Sequence, residues 1–166
     1  MAALVEVLGA QQPTSRYPFT WPLPFPAERF IARDHELAAW VAEVDGAPVG
    51  HVSIQSVEGA TGPDGLDGAQ LRTLWTGAHG RPAAQLAIVS ALFLAPGMTG
   101  QGLGGRLLDT AVAWIHRAGM GACLDALPKY SDAVAFYERR GWVRVGRVRP
   151  PWLPADEVDV IAMVLP

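Results

Sequence analysis

Apolar residues follow two different spacings in the middle of this chain, and each spacing predicts one type of element. From Gln85 to Leu94 the residues are almost continuously apolar between Pro82 and Pro96, which predicts a strand covered on both faces. From Leu103 to Ala118 the apolar residues recur at helical spacing with charged residues on the other side, which predicts an amphipathic helix. A proline and a run of glycines separate the two segments. The pattern therefore predicts a strand, a tight turn and a helix as the unit around which the chain is organised.

Further apolar and turn residues predict helices and strands on both sides of this unit. The Asp45-Gly46 pair is a strong hairpin signal and would join two strands, Leu37–Val44 and Pro48–Val57. The other predicted strands are Ala122–Leu127, Trp142–Val148 and Glu157–Leu165. The other predicted helices are Met1–Gln12, Ala27–Arg33, Ala69–Gly77 and Ser131–Arg140. Pro13 is predicted to end the first of these helices, and Ser131 is the predicted N-cap of the last. This mixture predicts a single α/β or α+β domain with helices flanking a mixed sheet.

Two segments are predicted to be loops. Thr14–Pro26 contains four prolines together with several aromatic residues and Arg16, so it cannot form a long helix or the interior of a sheet. It either covers an edge of the core or forms a wall of a substrate pocket, with Arg16 supplying a charge, and the sequence favours neither. Gly59–Gly68 is polar and rich in glycine, which is typical of a surface loop.

Composition narrows the class of protein. The chain has 166 residues, of which 50% are hydrophobic, and a net charge of −3. It has neither an apolar run of about 18 residues nor a basic amino-terminal region. These features predict a soluble, cytoplasmic protein with no membrane and no nucleic-acid partner. The single Cys123 is expected in the core and excludes an intramolecular disulfide.

The glycine-rich turn is the strongest candidate for a ligand site. Four glycines occur within the six residues Gly100–Gly105, and a turn of this type presents unpaired N–H groups and the positive end of the helix dipole to an anion. A tight turn without a ligand is the alternative. A P-loop is excluded because no Lys followed by Ser or Thr is present. The dinucleotide pattern GxGxxG is matched literally by Gly100, Gly102 and Gly105, with Asp125 further on, but too little chain remains for a doubly wound domain.

Two segments in this order resemble one family. Leu92–Leu108, with the sequence LFLAPGMTGQGLGGRLL, resembles the acyl-CoA-binding motif [QR]xxGx[GA] of the GNAT superfamily of N-acetyltransferases. Further along, Ala133–Trp142, with the sequence AVAFYERRGW, is similar to the second signature of that superfamily. The resemblance covers Leu37–Leu165 and implies that residues 1–166 form one GNAT-like domain. In this domain residues 1–36 would form the amino-terminal helices and the loop, and residues 37–165 would form the acyl-CoA-binding core.

The resemblance also implies where acetyl-CoA would bind. Backbone groups of Phe93 and Leu94 would meet the pantetheine arm, and the turn would wrap the pyrophosphate. The implied cofactor-binding residues are Phe93, Leu94, Thr99, Gly100, Gln101, Gly102, Leu103, Gly104, Gly105, Arg106, Ser131 and Phe136. There are three departures from the family pattern. Thr99 stands where Arg or Gln is usual, Tyr130 or Ser131 stands where Asn is frequent, and the usual first strand has no counterpart before Ala2.

The resemblance implies a catalytic role for Tyr137. An amine attacks the thioester carbonyl, a backbone N–H near Leu94 stabilises the oxyanion, and a tyrosine phenol protonates the departing thiolate. The alternative for Tyr137 is a core aromatic beside Phe136. The general base is open, since Gln85–Leu94 contains no acid. The candidates are His51, Asp125 and a water held by Ser90. No role is expected for His35, His79 or His116, and no metal is expected.

The expected function is acetyl-CoA-dependent N-acetyl transfer by direct attack in a ternary complex. A non-catalytic acyl-CoA-binding regulatory domain is the main alternative, because Thr99 and the missing acid depart from the family pattern. A dinucleotide-binding oxidoreductase is a distant one. The acceptor remains open between a small-molecule amine and a protein or peptide amine, and so does assembly as a homodimer. The one dense acidic run is Asp156, Glu157 and Asp159.

Overall fold

Helices flank one mixed, mostly antiparallel sheet. The computed structural model describes residues 1–59, 68–130 and 132–166. In these residues the helices are α1 (Ala2–Ser15), α2 (Glu28–Ile31), α3 (Gly68–His79), α4 (Leu103–Arg117) and α5 (Ala133–Glu138). The strands are β1 (Glu36–Val44), β2 (Ala47–Ser56), β3 (Leu86–Leu94), β4 (Gly121–Ala126), β5 (Val143–Val148) and β6 (Val160–Leu165). Their order in the sheet is β1-β2-β3-β4-β6-β5, which confirms the predicted fold class.

The direction of pairing follows from the connections. β1 and β2 form an antiparallel hairpin in which Val44 pairs with Ala47. Asp45 and Gly46 both have positive φ, 51° and 78°, as a two-residue hairpin turn requires. β4 pairs with β6, and β5 with β6, in antiparallel fashion. β3 and β4 are parallel, because helix α4 carries the chain back to the same end of the sheet.

The residues divide into two compact units, and the first comprises Met1–Gln55 and Val89–Trp114. In this unit α1 and α2 pack on the second half of β3, in a cluster formed by Leu4, Leu8, Ile31, Ala91 and Phe93. Helix α4 buries the apolar row that its sequence predicts, Leu103, Leu107, Leu108 and Ala111. The unit therefore joins the glycine turn, the end of β3 and the amino-terminal helices.

The second unit comprises Ser56–Ile88 and Ile115–Pro166. Helix α3 packs on its strands through Trp75, which is 2% exposed and donates its indole N–H to the carbonyl of Leu124 at 3.2 Å. Cys123 lies in the same core and is fully buried, which confirms its prediction as a core residue. Burial raises the pKa of its thiol to about 12, since a thiolate cannot be solvated there.

Several predicted helix boundaries differ from the structure, and other predictions lie outside the described residues. Pro13 does not end α1: it lies inside the helix, which continues to Ser15 and stops at Arg16 in the left-handed region. A proline near a helix end removes only one late hydrogen bond, and the N–H of Arg16 still bonds to the carbonyl of Gln12 at 2.7 Å. Helix α5 begins later than predicted, at Ala133. Ser131, and most of the predicted Gly59–Gly68 loop, lie outside the described residues.

No helix in the described ranges is both long enough and apolar enough to cross a membrane.

Candidate functional site

Backbone hydrogen bonds, one of them to β2, and the side chain of Gln101 hold the turn between β3 and α4. At its start the N–H of Ala95 bonds to the carbonyl of Val49 at 2.7 Å, and the N–H of Met98 bonds to the carbonyl of Ala95 at 3.1 Å. The Gln101 side chain then donates its amide N–H to the carbonyl of Gly97 at 3.0 Å. Gln101, predicted as a cofactor contact, therefore also closes the turn on itself.

Three glycines in this turn have backbone conformations that other residues rarely adopt. Gly97, Gly100 and Gly102 have φ of 79°, 79° and 78°. A Cβ built on any of them would meet no atom within 4 Å. Space is therefore not the reason for glycine at these positions. The reason is the left-handed backbone, which costs other residues about 1–2 kcal/mol each.

The turn opens directly on the amino terminus of α4. The first i to i−4 hydrogen bond is donated by Arg106 to the carbonyl of Gly102 at 3.0 Å. The N–H groups of Leu103, Gly104 and Gly105 precede it and have no acceptor within the helix. Gly104 packs over Leu94, whose Cδ1 would lie 3.5 Å from an added Cβ. The predicted residues from Thr99 to Arg106 thus lie together around a cluster of N–H groups that suits an anion.

The second half of β3 lies beyond its ladder to β4 in the part of the chain that the structure describes. Within the described residues the parallel ladder to β4 covers Leu86 to Ile88. Phe93, further along β3, is 4% exposed and stacks on the imidazole of His51, with ring centroids 5.4 Å apart. Leu94 is half-buried. The backbone that the resemblance assigns to the pantetheine arm therefore belongs to the part of β3 beyond this ladder.

Strand β3 contains one strained residue that the sequence did not signal. Ala91 has φ of 47°, a conformation that costs a non-glycine residue on the order of 1–3 kcal/mol. Its N–H donates to the phenol oxygen of Tyr17 at 3.0 Å. Its carbonyl accepts a hydrogen bond from Nδ1 of His51 at 2.9 Å. Two side chains therefore hold the polar backbone atoms of Ala91.

The environment of His51 determines its protonation state. The side chain is 3% exposed, and burial lowers the pKa of its imidazole while the hydrogen bond to Ala91 opposes that shift. A carbonyl can only accept, so Nδ1 carries the proton and the neutral ring has its lone pair at Nε2. His51, one of the three candidates for the general base, is therefore a buried imidazole whose Nδ1 donates to Ala91 and whose neutral form has its lone pair at Nε2.

A row of buried polar side chains continues from His51 along β2. The hydroxyl of Ser53 lies 3.0 Å from that of Ser90, and the amide of Gln55 donates to the Ser90 hydroxyl at 2.7 Å. A hydroxyl has one donor and two acceptor sites, so these bonds use most of the capacity of Ser90. The predicted water on Ser90 would have a single remaining site.

Tyr137 lies on α5 among aromatic rings. Its ring meets that of Phe136 edge-on at 5.3 Å and that of Trp142 at 5.8 Å, and both Tyr137 and Phe136 are half-buried. The guanidinium of Arg140 lies 5.0 Å from the centre of the Phe136 ring. The N–H of Trp142 bonds to the carbonyl of Tyr137 at 3.2 Å. The predicted catalytic side chain is therefore held by ring contacts on two sides.

The remaining candidate residues lie on the second unit. Asp125 is exposed on β4 opposite Ala162. Glu157, from the acidic run, accepts hydrogen bonds from Tyr130 and from Lys129, the latter at 2.9 Å. The hydrogen bond from Tyr130, and after it the one from Lys129, lower the pKa of the Glu157 carboxyl. At least this member of the run is therefore engaged by neighbours rather than open to a cationic acceptor.

Comparison with known proteins identifies the family and the fold. Residues 6–142 match the family model described as the acetyltransferase (GNAT) family. No curated protein matches the sequence. Among solved structures, the ribosomal-protein-S18-alanine N-acetyltransferase of Escherichia coli is 16% identical, with a TM-score of 0.65, over 99% of this chain and 86% of that chain.

Two further solved structures show the same fold. The PaiA N-acetyltransferase of Thermoplasma acidophilum, in complex with coenzyme A, is 15% identical with a TM-score of 0.59 over 98% of this chain and 90% of that chain. An acetyltransferase of the GNAT family from Staphylococcus aureus Mu50 is 15% identical with a TM-score of 0.62 over 99% and 92% of the two chains.

Proposed function

Since the chain belongs to the acetyltransferase (GNAT) family, we propose that it transfers the acetyl group of acetyl-CoA to a primary amine by direct attack in a ternary complex. The observation that carries this proposal is the turn between β3 and α4. Three glycines with positive φ there lead directly into a helix whose first N–H groups have no acceptor within the helix. A pyrophosphate is the group that such a turn accommodates best.

Acetyl-CoA would lie along two parts of the first unit. Its pyrophosphate would accept from the N–H groups of Leu103, Gly104 and Gly105. Its pantetheine arm would run beside β3, beyond the ladder to β4, and meet the backbone of Phe93 and Leu94. Thr99 offers no charge or amide at this turn, so the backbone N–H groups would carry most of the phosphate binding. The structure of the Thermoplasma acidophilum relative, solved with coenzyme A, supports this class of cofactor.

The chemistry requires an oxyanion donor and a proton for the leaving group. The amine attacks the thioester carbon, and a backbone N–H near Leu94 would stabilise the negative charge that develops on the carbonyl oxygen. The C–S bond then breaks, and the phenol of Tyr137 would give its proton to the departing CoA thiolate. The ring contacts with Phe136 and Trp142 support this role because they restrict the orientation of the Tyr137 side chain.

The main alternative is binding of acyl-CoA without turnover. The absence of an acid from Gln85–Leu94 favours this alternative, since no carboxylate on that strand can accept the proton of the amine. His51, Asp125 and a water on Ser90 remain the candidate bases of the catalytic proposal.

Calorimetric titration with acetyl-CoA, with NAD as control, is the first test. Micromolar binding of acetyl-CoA without NAD binding is expected, and binding of NAD alone would refute the acyltransferase and restore the dinucleotide hypothesis. Release of free CoA thiol in the presence of a panel of amines then separates the two acyl-CoA hypotheses. Amine-dependent release supports transfer, whereas binding without release over an acceptor panel of small amines, amino acids and peptides supports the regulatory domain.

A further inference from the structure

Strand β3 contains one residue more than regular pairing with β2 allows. Val49 pairs with Ala95 through a backbone hydrogen bond. Antiparallel pairing then places His51 beside Phe93, as their stacked rings show. The next neighbours on that face would be Ser53 and Ala91. The hydroxyl of Ser53 instead meets Ser90, so one extra residue lies between Ser90 and Phe93, and Ala91 has the positive φ of such a bulge.

The bulge is held by side chains from two other parts of the chain. Tyr17, which is 74 positions earlier, accepts the hydrogen bond of the Ala91 N–H. His51, which is 40 positions earlier, donates to the Ala91 carbonyl. A bulge leaves its extra residue outside the ladder, and a fully buried backbone group without a partner is unfavourable. These two side chains supply the bonds that the ladder cannot. We call Tyr17 and His51 together the Ala91 clamp.

Both members of the Ala91 clamp are themselves held in place. The ring of Tyr17 meets that of Phe30 edge-on at 5.3 Å. The backbone of Tyr17 bonds to two side chains of α1, its carbonyl to Gln11 and its N–H to Ser15. His51 is stacked on Phe93. The clamp thus connects the amino-terminal helices to β3 two residues before the backbone that would bind pantetheine.

We propose that Tyr17 and His51 are positioning residues that hold the bulge at Ala91 and so direct the backbone of Phe93 and Leu94 toward the pantetheine arm of acetyl-CoA. A bulge rotates the strand that follows it, and it therefore decides which N–H and C=O groups face outward. The glycine turn is formed by separate bonds, so its anion site does not depend on the clamp. This inference rests on the proposed function, because acetyl-CoA is its ligand.

The test compares two ligands that share the phosphates. Acetyl-CoA engages both the turn and β3, whereas 3′-phosphoadenosine 5′-diphosphate keeps the pyrophosphate and lacks the pantetheine arm. In Tyr17→Phe the ring remains and the acceptor of the Ala91 N–H is lost. The Kd for acetyl-CoA is expected to rise about 10-fold, while the Kd for the nucleotide stays within about 2-fold. Equal weakening of both ligands, or no change in either, would overturn the inference.

Trp75→Phe is the matched control for a general loss of stability. It also removes one hydrogen bond between an aromatic side chain and strand backbone, here the bond that Trp75 donates to the carbonyl of Leu124 in the second unit. Both Kd values are expected to match those of the unchanged protein. If Trp75→Phe weakens acetyl-CoA as much as Tyr17→Phe does, the effect is one of stability and the inference fails.

Two substitutions at His51 give an independent test. His51→Asn places an amide N–H close to the position of Nδ1 and removes the ring, whereas His51→Leu removes the donor. His51→Asn is expected to retain the affinity for acetyl-CoA and His51→Leu to lose it to the extent that Tyr17→Phe does. Equal loss in both variants would show that the ring matters rather than the bond to Ala91. If the unchanged protein binds no acetyl-CoA, the proposed function itself is refuted. If the unchanged protein binds acetyl-CoA and every clamp variant has the same Kd, only the role of the Ala91 clamp is refuted.

Discussion

Substituting Gly102 by alanine tests both the conformation of the turn and its role. Gly102 has φ of 78°, and an added Cβ would meet no atom within 4 Å. The substitution therefore causes no clash, and its whole effect comes from the backbone. The left-handed region costs an alanine about 1–2 kcal/mol. For a chain of this size that corresponds to a decrease of about 2–8 °C in Tm.

The same substitution is expected to weaken acetyl-CoA binding. Gly102 accepts the first hydrogen bond of α4, from Arg106, and adjoins the N–H groups proposed for the pyrophosphate. If alanine moves φ toward negative values, at least one of these N–H groups turns away from the phosphate. A hydrogen bond to a charged group contributes about 1.5–3 kcal/mol, so the loss of one raises the Kd about 10-fold or more.

Gly77→Ala is the matched control. Gly77 lies inside α3, where an added Cβ also meets nothing within 4 Å, but there alanine is the better helix former by about 0.5–1 kcal/mol. Thermal unfolding should show Gly102→Ala less stable and Gly77→Ala more stable than the unchanged protein. Calorimetry should show weaker acetyl-CoA binding in Gly102→Ala alone. An increase in stability for both variants, or an unchanged Kd in Gly102→Ala, would refute the reasoning.

Three further predictions concern single side chains. Tyr137→Phe keeps the ring contacts with Phe136 and Trp142 but loses the phenol proton. The kcat should therefore fall about 10-fold or more, with little change in the Kd for acetyl-CoA. An unchanged kcat at the pH optimum would remove Tyr137 from the mechanism. Cys123, whose pKa burial raises to about 12, should resist a thiol reagent at pH 8 in the native protein and react fully in denaturant, and rapid native reaction would contradict the prediction. Burial lowers the pKa of His51, so the unfolded chain binds its proton more readily. The contribution of His51 to the free energy of unfolding is complete above the ordinary imidazole pKa of about 6.5, and it is lost as pH falls from there through the lowered value. Denaturation curves measured across this range should show a smaller loss of stability for His51→Asn than for the unchanged protein. The same pH dependence in both proteins would contradict the prediction.

The predictions from sequence succeeded where the structure depends on neighbouring residues. The strand ending at Leu94, the turn and α4 follow from hydrophobic spacing and glycine content, both of which are local. The β1–β2 hairpin follows from Asp45-Gly46, since these residues adopt positive φ easily. The prediction that Pro13 ends α1 was wrong, because it treated a proline as a stop at any point of a helix.

The loop Thr14–Pro26 was open between two interpretations. In the structure Gln11 and Gln12 are buried and donate their side-chain amides to the carbonyls of Tyr17 and Pro18. Tyr17 then reaches Ala91 in β3. Tyr17 of this loop packs against the apolar cluster of the first unit, and it contributes a side chain to strand β3, which neither interpretation included.

The family, the order of the elements and the glycine turn could be predicted from the sequence, because each depends on residues that are close together in the chain. Only the tertiary structure revealed the bulge at Ala91 and the partners that hold it. Alanine has no intrinsic preference for positive φ, so no local signal marks the position. The conformation is stable because Tyr17 and His51, which are distant in sequence, meet the two polar atoms of one buried residue. Hydrogen bonds of this type depend on how the chain packs, and packing brings together residues that no pattern along the sequence connects.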